Sequence, residues 1–399
     1  MTERERALGR PMSRRELLRT AGRGSMYLGA MAFLAACGVQ AERRPRQRLE
    51  ELPPESGELN MANWPLYIDK SGGRSPTLIS FREETGIDIS YKTVINDNEE
   101  FFGTIREPLS QGEPTGWDII VVTDWLVAKM IDLGYAERLH HDRLPTATEN
   151  LADKFRDPWY DPGNAHSFPW AAGITGIGYD ISATGREITS VQDLLDPEFE
   201  GRVGMFSEMR DTFGLVLLSL GVEPQDATVE DVEKAQQLLI DNRGNFRDFY
   251  GNEYTDQLGA GNLALSMAWS GDIFALSLDN PDLRFVIPEE GGMAWTDNMV
   301  IPAGAENPTD AHAFIDYVYQ PRIATNITEW VWYESPVDGV QELVQEDIAG
   351  GGPRYLRELA ESELVFPTED TLAQLHPYKR LDLEEEEVWN DLFQEVVQG

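Results

Sequence analysis

Between residues 58 and 134 the spacing of apolar residues switches repeatedly between two periods. Residues 58–62 predict a strand, 76–84 a helix, 87–94 an alternating strand and 99–109 a second helix. Trp117-Asp118-Ile119-Ile120-Val121-Val122 then predicts a buried strand. Period two marks a half-buried strand, and recurrence at i, i+3, i+4 and i+7 marks an amphipathic helix. Gly86 ends the first helix, because glycine accepts the left-handed C-terminal conformation. Asp124 is placed to cap the next helix, which closes at Gly134. Strand, helix, strand, helix implies right-handed crossovers and a largely parallel sheet.

A second block repeats the pattern. Residues 167–179 are extended and punctuated by glycine. Strands are predicted at 202–206, 263–269 and 283–287, and helices at 211–220 and 229–239. Residues 293–301 are again extended, and 311–332 are mostly helical. Two α/β blocks joined by extended segments predict two lobes with a cleft between them. The expected division is 58–174 plus 297–341 for one lobe and 175–296 plus 342–399 for the other. Ligands of such sheets bind beyond the carboxyl ends of the strands.

The N-terminal residues follow another logic. Ser13-Arg14-Arg15-Glu16-Leu17-Leu18 is a twin-arginine signal, followed by a weakly polar run over 25–36. Leu34-Ala35-Ala36-Cys37 has the form of a lipobox, in which small residues precede a cysteine that is cleaved and lipidated. An apolar run of 12 residues is far short of the roughly 20 that span a bilayer. Residues 1–36 therefore read as a removable export segment for the route that carries folded cargo. Cys37 becomes the lipid-bearing residue, anchored outside the cytoplasmic membrane. Residues 37–57 read as a flexible tether, in which Arg43, Arg44, Arg46 and Arg48 can lie against anionic headgroups.

Charge and cysteine content narrow the function. The chain carries a net charge of −37. Removal of residues 1–36 takes away seven Arg and three acidic residues, leaving −41. Such a surface repels nucleic acid, whose binding depends on cations that neutralise phosphate. With Cys37 as the only cysteine, no disulfide forms within one chain, so the core must hold the fold. The chain is long enough for two lobes, each with its own core.

Aromatic residues recur just after predicted strands: Trp64, Tyr67, Trp125, Trp269 and Trp295, with Tyr333 after the long helix. Carboxylates occupy similar places: Glu208, Asp211, Asp272 and Asp297. Aromatic faces attract alkylammonium groups by about 0.5–2 kcal/mol each. They also bury methylene chains, at about 0.8 kcal/mol per CH₂. Carboxylates make charge-assisted hydrogen bonds with the ammonium ends. Rings flanked by carboxylates suit a linear di- or triamine. Arg210, the one basic residue among them, reads as a partner that orders Glu208 or Asp211.

Residues 59–366 resemble the spermidine/putrescine-binding proteins of polyamine ABC transporters. The resemblance rests on Asn63-Trp64-Pro65-Leu66-Tyr67, Phe81-Arg82-Glu83-Glu84-Thr85-Gly86-Ile87 and the strand 117–122. Phe168-Pro169-Trp170, Gly176-Ile177-Gly178-Tyr179, Trp269-Ser270-Gly271-Asp272, Glu289-Glu290-Gly291-Gly292 and Trp295-Thr296-Asp297 continue it in order. It implies an α/β, two-lobed, periplasmic-binding-protein-like fold of type II, with extended segments crossing the hinge. Trp64, Trp269 and Trp295 would form aromatic walls, closed by Tyr67 and Tyr333. Asp297 would be the main carboxylate partner of one amine, and Glu208 and Asp211 would hold the other end. Thr123 and Trp125 stand where the family has a serine and an aromatic. Asp272 matches an aspartate of putrescine-preferring members. Leu66 departs from an aspartate of some putrescine binders, Pro65 replaces a hydroxyl residue, and a glutamine used near the C-terminus has no clear match around Gln374 and Tyr378.

The resemblance further implies a monomeric receptor that passes its amine to ABC permease subunits driven by a cytosolic ATPase, with no cofactor. A receptor for another organic cation or small solute would share the fold. A membrane-tethered enzyme is the third reading. Against it, the chain lacks His-Glu-x-x-His, Cys-x-x-Cys, Gly-x-Ser-x-Gly and a phosphate loop. His140-His141 reads as a surface pair, and residues 384–387 read as a solvated helix face.

Overall fold

The computed structural model describes residues 51–398. The twin-arginine segment, Cys37 and the tether up to residue 50 lie outside the described residues. Strands β1 (Glu58–Asn63), β2 (Asp88–Thr93) and β3 (Ile119–Thr123) run parallel, with β1 in the middle. Helices α1 (Pro76–Thr85) and α2 (Asn98–Gln111) connect them. Their ends are set by local chemistry. Ser75 and Asp97 cap α1 and α2 by accepting from the N–H groups of Leu78 and Glu100. Gly86 (φ 79°) and Gly112 (φ 80°) close them in the left-handed conformation. Helix α3 (Asp124–Leu133) follows β3 without a loop.

The second half of the sheet is built alike. Strands β5 (Val203–Phe206), β6 (Phe246–Tyr250) and β7 (Leu265–Trp269) run parallel, with β5 in the middle. Helices α4 (Met209–Ser219) and α5 (Val229–Asp241) connect β5 to β6, and α6 (Ser270–Ser277) follows β7 directly.

Two long strands join the halves. The first residues of β4 (Ser167–Asp180) pair with the end of β9 (Gly292–Val300), which also pairs with β3. The later residues of β4 pair with β7 and with β8 (Leu283–Val286). The main order is β2-β1-β3-β9-β4-β7-β5-β6, mixed rather than largely parallel, because both crossing strands run antiparallel to their neighbours in that order. Glycines in β4 allow close approach. A Cβ on Gly173 would sit 2.4 Å from the Trp295 ring and 2.9 Å from that of Tyr333.

Two expectations need correction. The predicted helix over 311–332 is two helices, α7 (Pro308–Val318) and α8 (Pro321–Val331). Pro321 begins the second, and its ring keeps Gln320 extended (ψ 124°). Thr123, not Asp124, occupies the cap position of α3, and Asp124 lies in the first turn, where its Oδ2 accepts from the Thr296 N–H at 3.1 Å.

Helix α9 (Val340–Ala349) packs on α8, and α10 (Tyr355–Ala360) packs on α9. The short β10 (Leu375–Pro377) adds to β9, and the final helix α11 (Leu383–Gln398) covers α4 and α5. Residues 53–57, the end of the expected tether, are fastened down. The N–H groups of Ser56 and Gly57 each donate to Asp310 at 2.9 Å, and Thr309 donates to the Pro53 carbonyl.

Candidate functional site

A cleft of about 550 Å³ opens between the two halves of the sheet. All eleven residues singled out from the sequence line it: Trp64, Tyr67, Thr123, Trp125, Glu208, Asp211, Trp269, Asp272, Trp295, Asp297 and Tyr333. They arrive there for a common reason. β1, β3, β5 and β7 all end at this place, so residues at strand ends and in the first helical turns face one another. Trp64 and Tyr67 follow β1, Thr123 ends β3, and Trp125 begins α3. Glu208 and Asp211 begin α4, Trp269 ends β7, and Asp272 begins α6. Trp295 and Asp297 project from β9. Trp332 closes α8 at φ 64°. Tyr333, which follows it, packs against Trp295 (ring centroids 5.2 Å apart) and Tyr67 (5.7 Å).

The carboxylates are anchored by neutral donors. The Tyr67 hydroxyl donates to Asp297 Oδ2 at 2.8 Å and the Thr123 hydroxyl to Oδ1 at 2.7 Å. Tyr378 donates to Asp211 Oδ1 at 2.6 Å, and Thr175 donates to the same oxygen. Tyr254 donates to Asp272 Oδ2 at 3.0 Å. Glu208 Oε1 accepts from the Asn98 backbone N–H at 3.0 Å and from its side-chain amide at 3.2 Å. Among the described residues neither Lys nor Arg lines the cleft.

Three of these acids, Glu208, Asp211 and Asp297, are buried, and burial opposes their ionisation. Burial pushes the Asp297 carboxyl up to about 6, against the hydrogen bonds of Thr123 and Tyr67 and with help from the charge of Asp211. Asp211 is likewise pushed up to about 6 by burial, against bonds from Thr175, Tyr378 and Trp269. Glu208 rises well above the usual range through burial and the charge of Asp97. Burial also lifts Tyr67, Tyr254 and Tyr378, so their phenols remain donors. A ligand carrying two or more positive charges would remove this penalty, and the rings would cover its apolar length.

Arg210 does not order Glu208 or Asp211. Its guanidinium lies 3.7 Å over the Trp125 ring, outside the cleft, and pairs with Glu386. Glu386 is accordingly buried, not part of a solvated face, although Glu384 and Glu387 are exposed. The cleft also holds residues that the sequence reading did not assign, namely Asn98 and Asn252, with Tyr378 named there but not placed. Asn98 follows the Asp97 cap and reads as ordinary helix-start chemistry, which hides its second contact with Thr123 at 2.9 Å. Among the described residues, no group of three or more His, Cys, Asp or Glu could hold a metal ion.

An aromatic, acidic cleft between two halves of a sheet joined by crossing strands defines a two-lobed α/β solute-binding protein of type II. The chain belongs to the bacterial extracellular solute-binding protein family, whose sequence profile matches residues 117–351. It is 28% identical over 301 residues to spermidine/putrescine-binding periplasmic protein 1 of Haemophilus influenzae, covering 75% of this chain and 79% of that one. It is 26% identical over 351 residues to the putrescine-binding periplasmic protein PotF of Escherichia coli, covering 83% and 89%. The solved spermidine/putrescine ABC transporter substrate-binding protein of Streptococcus pneumoniae superposes with a TM-score of 0.69 at 28% identity, covering 86% of this chain and 98% of that one.

Proposed function

We propose that this protein captures a polyamine, spermidine or putrescine, outside the cytoplasmic membrane and delivers it to an ABC importer. The observation that carries the reading is the set of three buried carboxylates, Glu208, Asp211 and Asp297, with the half-buried Asp272, in a ring-lined cleft that no Lys or Arg lines among the described residues. Indole walls serve the methylene chain, and Asp297 serves one ammonium end. Glu208 and Asp211 serve the other end. Capture needs no bond-making step, so the protein acts as a receptor, not an enzyme, and needs no cofactor.

In this reading residues 58–174 and 297–341 form one lobe, and 175–296 the other. The sequence reading puts 342–399 with the second lobe; the packing of α9 on α8 and of α10 on α9 supports counting those two helices with the first, and the pairing of β10 with the start of β9 supports keeping β10 to α11 with the second. The lobes close on the amine and present it, as a monomer, to permease subunits powered by a cytosolic ATPase. Export follows the twin-arginine route, and lipid at Cys37 keeps the protein at the membrane.

Titration calorimetry with putrescine, spermidine, spermine and agmatine, and with neutral and anionic amino acids as controls, tests the ligand class. Binding of an uncharged or anionic solute in preference to all four amines would replace the reading with that of a receptor for another solute. Arg14→Lys with Arg15→Lys should stop export, and wild-type protein found unprocessed in the cytosol would refute the proposed route.

A further inference from the structure

Arg210 stands between two cleft acids in the sequence, yet it belongs to a separate charged ring behind Trp125. Glu386 on α11 pairs with Arg210 and, through its other oxygen, with Lys129 Nζ at 2.8 Å. Lys129 also reaches Glu99 at 3.2 Å, and Glu99 approaches Arg210 at 3.8 Å. Two cations and two carboxylates thus balance. The side chains of Arg210, Glu386 and Lys129 are only 6%, 7% and 14% exposed, so solvent screens them little. The attraction of Arg210 and Lys129 holds Glu386 ionised despite its burial.

The ring joins three parts of the chain. Glu99 and Lys129 sit on α2 and α3, beside β1–β3. Arg210 sits on α4, beside β5, and Glu386 comes from the C-terminal helix. The same seam carries the hydrogen bonds from Asn98 on α2 to Glu208. By holding Arg210 on the outer face of Trp125, Glu386 braces one wall of the cleft and leaves Glu208 and Asp211 without a cation among the described residues.

We propose that Lys129 and Glu386 are positioning residues, which brace Trp125 through Arg210 and fasten the two halves of the molecule around the bound amine. The C-terminal helix then sets how long the ligand stays. This inference rests on the reading of the cleft as a polyamine site.

The test compares full-length wild type with Lys129→Met, Glu386→Gln and the double variant. Lys129→Met is the milder change, because Arg210 and Glu386 keep each other. Stopped-flow binding of spermidine and putrescine should show dissociation about threefold faster in Lys129→Met and about tenfold faster in Glu386→Gln, with association within about twofold. The double variant should be no worse than Glu386→Gln alone, since that change already removes the Lys129–Glu386 pair. Lys129→Arg should restore slow dissociation. In ligand-free Lys129→Met, amide exchange over residues 98–111 should quicken, because the Asn98 N–H bond crosses the seam. Unchanged dissociation rates, or effects that add in the double variant, would overturn the proposal. So would a fall in unfolding free energy as large as the whole fall in binding free energy. If wild type binds neither amine, the reading of the cleft fails instead, and unchanged exchange over 98–111 would then refute the link on its own.

Discussion

Replacing Asp297 by Asn keeps the shape of the side chain and deletes one charge from the lining of the cleft. In the ligand-free protein that charge is unfavourable. Burial raises its pKa from 3.8 to about 6, although Tyr67 and Thr123 both donate to it. A rise of about two units corresponds to roughly 3 kcal/mol. The folded-state value lies above the unfolded one, so the folded protein holds this proton more tightly. The associated stability is fully present below about pH 4, is lost as pH rises through about 6, and stays lost above that. Asn cannot ionise. Ligand-free Asp297→Asn should therefore be more stable than wild type at pH 7.5, by about 1–2 kcal/mol once weaker amide hydrogen bonds are discounted. At pH 4 the advantage should vanish.

Binding reverses the outcome. Hydrogen bonds to a charged group contribute about 1.5–3 kcal/mol, so the dissociation constant of the variant should rise about 10- to 150-fold at pH 7.5. Wild-type affinity should also weaken as pH falls below about 6, where Asp297 and Asp211 take up protons. At pH 5 each of the two sites weakens binding by up to about tenfold, and the variant should lose the share due to Asp297. Thermal unfolding without ligand and calorimetry with it, at pH 4, 5 and 7.5, read both effects. A variant less stable than wild type at pH 7.5, with an unchanged dissociation constant, would refute the account of Asp297 as a charge held in reserve for a cation.

Trp295→Leu should weaken amine binding about 2- to 30-fold with an unchanged far-UV spectrum, because a cation–π contact of about 0.5–2 kcal/mol is lost. Gly173→Ala would put a Cβ 2.4 Å from the Trp295 ring; displacement of that ring should destabilise the fold by about 1–3 kcal/mol and raise the dissociation constant, both read from ligand-dependent melting. Asp272→Ser should shift the ratio of the two dissociation constants toward spermidine, since Asp272, held by Tyr254, offers a charge to the second nitrogen of the shorter amine; a ratio that stays put would remove Asp272 from length selection.

What the sequence shows and hides follows from distance along the chain. Strand ends and first helical turns are local features, so Trp64, Trp269 and Asp272 could be placed at or just beyond the ends of their strands from neighbouring residues alone. The crossing of β4 and β9 was visible only as two extended, glycine-bearing runs. Their antiparallel pairing depends on partners more than 100 residues away, which left the sheet looking parallel. Arg210 shows the opposite error, that of trusting adjacency. Successive residues on a helix point about 100° apart, so a neighbour of Asp211 in sequence need not share its face. Glu386 carried a signal that its run of four acids concealed. It shares one helical stripe with Trp389, Phe393 and Val396, at spacings of three, seven and ten, and that stripe is buried. A carboxylate on an apolar stripe is costly unless a cation meets it. Arg210 is also buried, at 6% exposed, on a helix start whose neighbours are acidic and apolar. Each residue alone violates the rule that charge stays at the surface. Together with Lys129 they satisfy it, and the place where they do so is the back of a wall of the cleft.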